Sequence, residues 1–192
     1  MSKNNKVDKV EKVKLAEFGD PILRRVAQRV DLKDIKSEEI QTLIKRLREA
    51  CDANKYGVGI AAPQIGVSQA VLVIKIKSTP SRPNLNSFDK VVINPEIIEY
   101  IGQPVQLWDG CLSGGADPLF AQTERYKKIR VNYYDEDGEF YEDELIDGFV
   151  AHVFQHETDH VNGMLFVDRV TNSKSWMSNS EYLKMMNKKR AK

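Results

Sequence analysis

The stretch HVFQHETDH, residues 152–160, carries all three histidines of the chain, at intervals of four. Residues four apart in an α-helix share one face and lie about one turn from each other. Phe149, Val150, Val153 and Phe154 make this helix largely apolar, so the fold has to bury it. A buried imidazole stripe needs a strong partner, because polar groups withdrawn from water without one are costly. An exposed polar stripe, the bland alternative, does not suit such apolar neighbours. Whatever fold the chain adopts must wrap a helix with a polar buried face.

Two imidazoles at i and i+4 can share one metal ion. His156-Glu157-Thr158-Asp159-His160 fits the H-E-x-x-H pattern, two ligands with a catalytic carboxylate between them. His152 and His160 stand about 12 Å apart along a helix rising ~1.5 Å per residue. One ion with bonds of ~2.1 Å does not comfortably hold both. The pair 152/156 is followed by Val153, which cannot act as a base, whereas 156/160 carries Glu157. The pair 156/160 is preferred, and His152 is left without a role.

Spacing alone leaves the third ligand open. One protease pattern continues to a third histidine; here Gly163 is in place but Phe166 stands at the ligand position. Another uses a downstream glutamate, and Glu181 follows His160 by 21 residues, within the charged stretch SNSEYLKMMNKKR. Cys111 in WDGCLSGG is the other candidate. A thiolate suits zinc or ferrous iron, and Gly110, Gly114 and Gly115 let the backbone come close.

The 192 residues fit one domain with a substantial core. Twenty-nine basic and 28 acidic residues leave a net charge of +1, which gives no argument for DNA or an anionic membrane as partner. No apolar run approaches the ~20 residues of a membrane span. The opening MSKNNKVDKVEK lacks a signal peptide's apolar stretch, which sets the expectation of a cytoplasmic protein. Two cysteines in such a chain suit packing or metal chemistry better than a disulfide. Cys51 closes the apolar stripe Ile40, Leu43, Ile44, Leu47 and reads as a buried hydrophobe.

That stripe predicts a helix from an N-cap at Ser37 to about Ala53. Gly19-Asp20-Pro21 reads as a turn into a short helix. Residues 70–76 and 90–102 read as strands, separated by a Pro/Ser/Asn loop, and Asp137-Gly138 as the turn of a hairpin. Asp147 is the expected N-cap of the histidine helix, and a last helix is expected from Ser178 to Lys189. The order predicts an α+β fold with a largely antiparallel sheet.

Three stretches decide between the third ligands. GVGIAAPQIG (57–66), DGCLS (109–113) and QHETDH (155–160), in this order, resemble the peptide deformylase family. That family carries Gly-x-Gly-x-Ala-Ala-x-Gln, Gly-Cys-x-Ser and Gln-His-Glu-x-Asp-His stretches. The likeness continues in FGDPILRRVA and HVNGMLFVDRV and covers roughly residues 14–170. It implies antiparallel sheets packed around a central metal-binding helix. The division expected is a polar tail at 1–12, one catalytic domain at 13–170 and an extension, helical in part, at 171–192. It implies one divalent metal ion on Cys111, His156 and His160: Fe²⁺ in the cell, with Zn²⁺, Ni²⁺ or Co²⁺ admitted by the same donors.

The resemblance further implies Glu157 as general base and then acid. Gln64 and the backbone N–H of Leu112 would hold the developing oxyanion. Gly59, with Val58 and Ile60, would pair with the substrate backbone as an added strand. Asp109 and Gly110 would lie at the substrate site, and Leu107, Phe149, His152 and Val153 around the pocket for the first side chain. The implied reaction is hydrolytic removal of the formyl group from the N-terminal formyl-methionine of nascent polypeptides, releasing formate. Lys184, Lys188, Lys189 and Arg190 would tether the last helix to the ribosome, a solvated tail being the alternative. A metallopeptidase using Glu181, or a catalytically silent metal-binding relative, are the rival functions.

The chain departs from the family pattern in four places. Asp109 stands where Glu is frequent. Gly114-Gly115-Ala116 replaces Val/Ile-Pro, in a loop that runs slightly long to Arg125. An arginine that steadies the substrate in some members has no clear match. His152 stands where an apolar residue is usual. The expectation is that its imidazole makes one pocket wall polar and admits smaller or more polar first residues.

Overall fold

Ser37 Oγ accepts the Ile40 N–H at 3.3 Å and opens the first helix, α1 (Glu38–Ala53), as its spacing predicts. Its buried stripe is Ile40, Leu43, Ile44, Leu47, Ala50 and Cys51. The computed structural model describes residues 13–54, 57–78, 85 and 87–190. The expected polar tail at 1–12, and most of the loop that begins at Ser78, lie outside the described residues.

Seven strands follow in chain order: β1 (Gly59–Ala61), β2 (Val71–Ile76), β3 (Phe88–Ile101), β4 (Val105–Gly110), β5 (Leu119–Arg125), β6 (Lys128–Tyr134) and β7 (Phe140–Asp147). The histidine helix is α2 (Gly148–Val161); β8 (Met177–Ser178) and α3 (Asn179–Arg190) close the chain. Five strands form one antiparallel sheet in the order β1-β2-β3-β6-β7. A smaller antiparallel sheet runs β4-β5-β8. The α+β fold with antiparallel sheets around a central helix is the one the sequence suggests. The last helix and the hairpin at Gly138 also fall where they were expected.

The large sheet is covered on both faces, so β2 is apolar from Val71 to Ile74 rather than alternating, and only then turns to Lys75. Val71 and Val73 pack toward α1; Leu72, Ile74 and Ile76 pack toward Ala151, Val153 and Phe154 of α2. Every residue from Ala151 to Val161 is buried. A helix with no solvent face can carry polar side chains only where the surrounding elements supply partners.

One reading holds only in position, and two strands were missed. Asp147 stands at the N-terminal boundary of α2, but its side chain makes no capping hydrogen bond. Gly148 (φ +60°) turns the chain sharply there, and its N–H goes to the Lys127 carbonyl at 2.8 Å. Strands β4 and β5 were not anticipated. Trp108-Asp109-Gly110 has the composition of a turn, and the β4 partner is set by long-range pairing, Gly110 opposite Phe120.

Beside the large sheet, Asn94 is buried with φ +55°. Its side chain accepts from the Val30 N–H at 2.8 Å and donates to the Val30 carbonyl at 2.9 Å, tying the N-terminal segment to β3. Asn94→Ala removes both partners of a buried peptide unit and puts alanine in the left-handed region. A stability loss of about 2–4 kcal/mol is expected, at ~1–3 kcal/mol per buried group left unsatisfied. Urea denaturation measures it; a loss under about 1 kcal/mol contradicts the account.

Candidate active site

The site assembles on one face of α2. Cys111 Sγ lies 3.2 Å from His160 Nε2. Among the described residues, Cys111, His156 and His160 form one group whose ligand atoms all lie within 4.8 Å of one another, and all three are buried. The donor chemistry fits a single metal ion: one thiolate and two imidazoles, three protein ligands with room for a fourth. Glu181 is not part of it. That side chain is exposed on α3 and takes the Lys184 ammonium at 2.7 Å.

His156 Nδ1 faces Asp109 Oδ1 at 2.8 Å, which leaves its other nitrogen toward the cluster. Orientation of a ligand imidazole by a carboxylate is the usual support of a metal site. Burial by itself would raise the Asp109 carboxyl, but the positive field of His156 and contacts from both His152 and His156 hold it well below the carboxylate range. Burial likewise disfavours a charged His156, yet Asp109 outweighs it and raises this imidazole. His160 lies well below the usual histidine range, through burial and then the charge of His156, and so is neutral as a ligand must be.

Behind Asp109 runs a chain of buried charges. Arg125, 2% exposed, donates from Nε (3.3 Å) and Nη2 (3.0 Å) to Asp109 Oδ2, which also accepts from Thr123 Oγ1 at 3.2 Å. The other arm of Arg125 meets Asp159 Oδ2 at 2.5 Å, and Arg169 closes on Asp159 Oδ1 at 2.8 Å. Sequence reasoning missed Arg125, Thr123, Asp159 and Arg169. Their signal was the alternation Ala121-Thr123-Arg125, legible only once β5 is known to be a strand.

Glu157 lies one residue past His156, 4% exposed, and its Oε2 has no partner. Burial pushes its carboxyl up to about 7. The backbone of β1 passes directly against it: a Cβ at Gly59 would stand 2.6 Å from Glu157 Oε1. Gln64 is buried in the turn after β1. Its Oε1 accepts the Ala61 N–H at 2.9 Å, and its Nε2 points at Cys111 Sγ (3.5 Å) and Ser113 Oγ (3.3 Å). Leu112 opens a 3-10 turn directly after Cys111. A sequence profile of polypeptide deformylases matches residues 12–176.

The chain belongs to the polypeptide deformylase family. It is 40% identical to the peptide deformylase of Thermotoga maritima over 157 residues, 82% of this chain and 86% of that one. The Leptospira biflexa peptide deformylase is 34% identical over 175 residues, 88% and 93% of the two chains. Among solved structures, the class I type b peptide deformylase of Acinetobacter baumannii with Met-Ala-Ser bound superposes with a TM-score of 0.75 at 32% identity. That match covers 83% of this chain and 98% of the other. The Thermotoga maritima structure gives 0.68 at 36% identity, over 84% and 99%.

The other residues expected at a deformylase site fall into two groups. Gly59 is packed on Glu157, between partly exposed Val58 and fully buried Ile60; Gly110 is partly exposed beside Cys111. Leu107 and Phe149 are partly exposed and Val153 is buried. The Asp109 and His152 side chains make further contacts with each other and their neighbours. The Asp109 carboxylate is engaged by His156 and Arg125 behind the cluster, because its short side chain on the inward face of β4 reaches no further. His152 Nε2 lies 3.4 Å from Asp109 Oδ2, outside hydrogen-bond geometry, and its ring meets Phe149 edge-on at 6.1 Å. The nitrogen expected to make a pocket wall polar thus faces the carboxylate.

Two outcomes follow from the charge chain. Asp109→Asn should weaken metal binding about 10–100-fold, the usual effect of losing such a support, read by chelator competition. Arg125→Met strands two buried carboxylates and should cost about 3–5 kcal/mol of stability, read by chemical denaturation. Unchanged values in either case would remove the supporting role.

Proposed function

We propose that this chain hydrolyses the N-terminal formamide of formyl-methionyl nascent polypeptides and releases formate. The observation that carries the reading is one buried juxtaposition. A Cys/His/His donor set stands beside a Glu157 carboxylate with an unpartnered oxygen and the Gln64 amide, in a chain of this family.

Cys111, His156 and His160 would hold a divalent ion, which we take to be Fe²⁺ in the cell. When bound, the ion supplies the Lewis acidity that makes water a nucleophile near neutral pH. Glu157, dry and drawn toward neutrality, takes the proton of the attacking water and delivers it to the departing amine nitrogen. A general base poised near the working pH serves both transfers. Gln64 is held by the Ala61 N–H so that its amide nitrogen faces Cys111 Sγ and Ser113 Oγ. With the Leu112 N–H it would receive the negative charge that grows on the formyl oxygen, where preorganised donors matter most. β1 is an edge strand of the large sheet, and a peptide backbone can add to such an edge. Gly59 keeps that edge within reach of Glu157.

Among the described residues no helix is long and apolar enough to cross a membrane. We place the activity in the cytoplasm, where nascent chains are made, with exposed lysines of α3 (Lys184 and Lys188) toward the ribosome.

Formate release from a formyl-Met peptide, against cleavage of an internal peptide bond, tests the reading directly. Glu157→Gln should keep the metal and lose activity by roughly 10²–10⁴-fold, the usual worth of acid–base help. Near-normal release by the metal-loaded variant would refute the role. Cys111→Ala should sharply lower metal content and Glu181→Ala should not; the reverse pattern would restore the peptidase. His152 borders the first-residue pocket in this reading. Identical ranking of a formyl-peptide panel by wild type and His152→Ile excludes it from recognition.

A further inference from the structure

A segment near the start of the chain joins the two loops that carry the proposed oxyanion donors. The Ala16 N–H donates to the Gln64 carbonyl at 2.8 Å, and the Phe18 N–H to the Ser113 carbonyl at 2.9 Å. One short segment therefore bonds to both loops and fixes their spacing. Gln64 bears the side-chain donor, and Ser113 directly follows Leu112, which bears the backbone donor. Among the described residues, the other hydrogen bonds between these loops come from Gln64 Nε2, to Ser113 Oγ at 3.3 Å and to Cys111 Sγ at 3.5 Å.

The segment also lies over the Cys111 loop where the backbone is least constrained. Gly115 has φ +81° and follows another glycine, so little in the loop itself limits its conformation. A Cβ at Gly114 would stand 3.8 Å from the Phe18 ring, and one at Gly115 3.7 Å from the Glu17 carboxyl. The Phe18 ring packs in turn on Phe166 at 5.9 Å, and Phe166 on His156 at 6.3 Å.

We propose that residues 16–18 are a positioning strap, whose amides at Ala16 and Phe18 set the separation of the Gln64 and Leu112 donors. This rests on the deformylase reading. The strap touches no reacting atom; it acts through the carbonyls of Gln64 and Ser113. It supplies from outside the rigidity that the Gly114-Gly115 turn lacks.

The test replaces single amides by esters in the metal-loaded full chain, at Ala16 and at Phe18, which deletes the N–H and keeps the side chain. An ester at Asp34, whose N–H bonds to the Asp31 carbonyl at 2.8 Å in a separate turn, is the control. Small displacements of catalytic groups cost up to ~10²-fold. The kcat for formate release should fall about tenfold to hundredfold for either strap ester. KM, metal content and melting temperature should match those of the control ester. Hydrogen exchange at Leu112–Gly114 should quicken, a readout independent of turnover. Should an ester chain fail to fold, Ala16→Pro deletes the same donor without removing the Phe18 ring and carries the same expectation for kcat and hydrogen exchange. Wild-type kcat in the strap variants, or an equal loss in the Asp34 ester, overturns the proposal. A wild type that releases no formate overturns the deformylase reading, and the strap with it.

Discussion

The contact between Asp109 and Arg125 is the one on which the rest of the site depends. Both are buried, and a buried ion pair survives only when each partner's remaining hydrogen-bonding capacity is met. Arg125 meets its share through Asp159, and Asp159 through Arg169. Asp109 meets its share through Thr123, the Gly110 N–H and His156. The result is a continuous path of charged contacts from β5, through β4, to the His156 imidazole. It also explains why a second sheet packs on α2. The helix offers polar groups that the large, apolar sheet cannot satisfy, and the β4-β5 pair brings the counter-charges.

The sequence disclosed the parts of this design that are local. The H-E-x-x-H spacing follows from helix geometry, and α1, β2, β3 and the β6-β7 hairpin follow from periodicity and turn chemistry. The cysteine could not be chosen over Glu181 by spacing, because a third ligand may come from any element that the fold brings near. Only the combined motifs singled it out. The chain of buried charges was illegible for a related reason. Arg125 and Asp159 look like ordinary surface residues until their strand and helix face each other, and β4 hides behind the turn-like Trp108-Asp109-Gly110.

His152 shows how a correct helical face can mislead. It shares its stripe with His156 and His160, yet one turn of helix takes it past the donor cluster to the flank of Asp109. Asp109 already has a full set of donors, and His152 stands 3.4 Å from it without a hydrogen bond. The imidazole therefore sits between two environments: the edge of Phe149 on one side and a fixed anion on the other.

Glu157 and Gly59 set a last constraint, on what the fold can change. The carboxylate needs a dry setting to hold a proton near neutrality, and it needs an approach for substrate. Backbone without a side chain meets both needs. At Gly59 the β1 main chain covers Glu157 more closely than any Cβ allows, excluding water from one side. As an edge strand, β1 still offers its N–H and C=O groups to an incoming peptide. On the proposed reading, the same residue dries the base and presents the binding edge. Proton transfer and peptide alignment are tied to one position of the chain, and a methyl group there would disturb both at once.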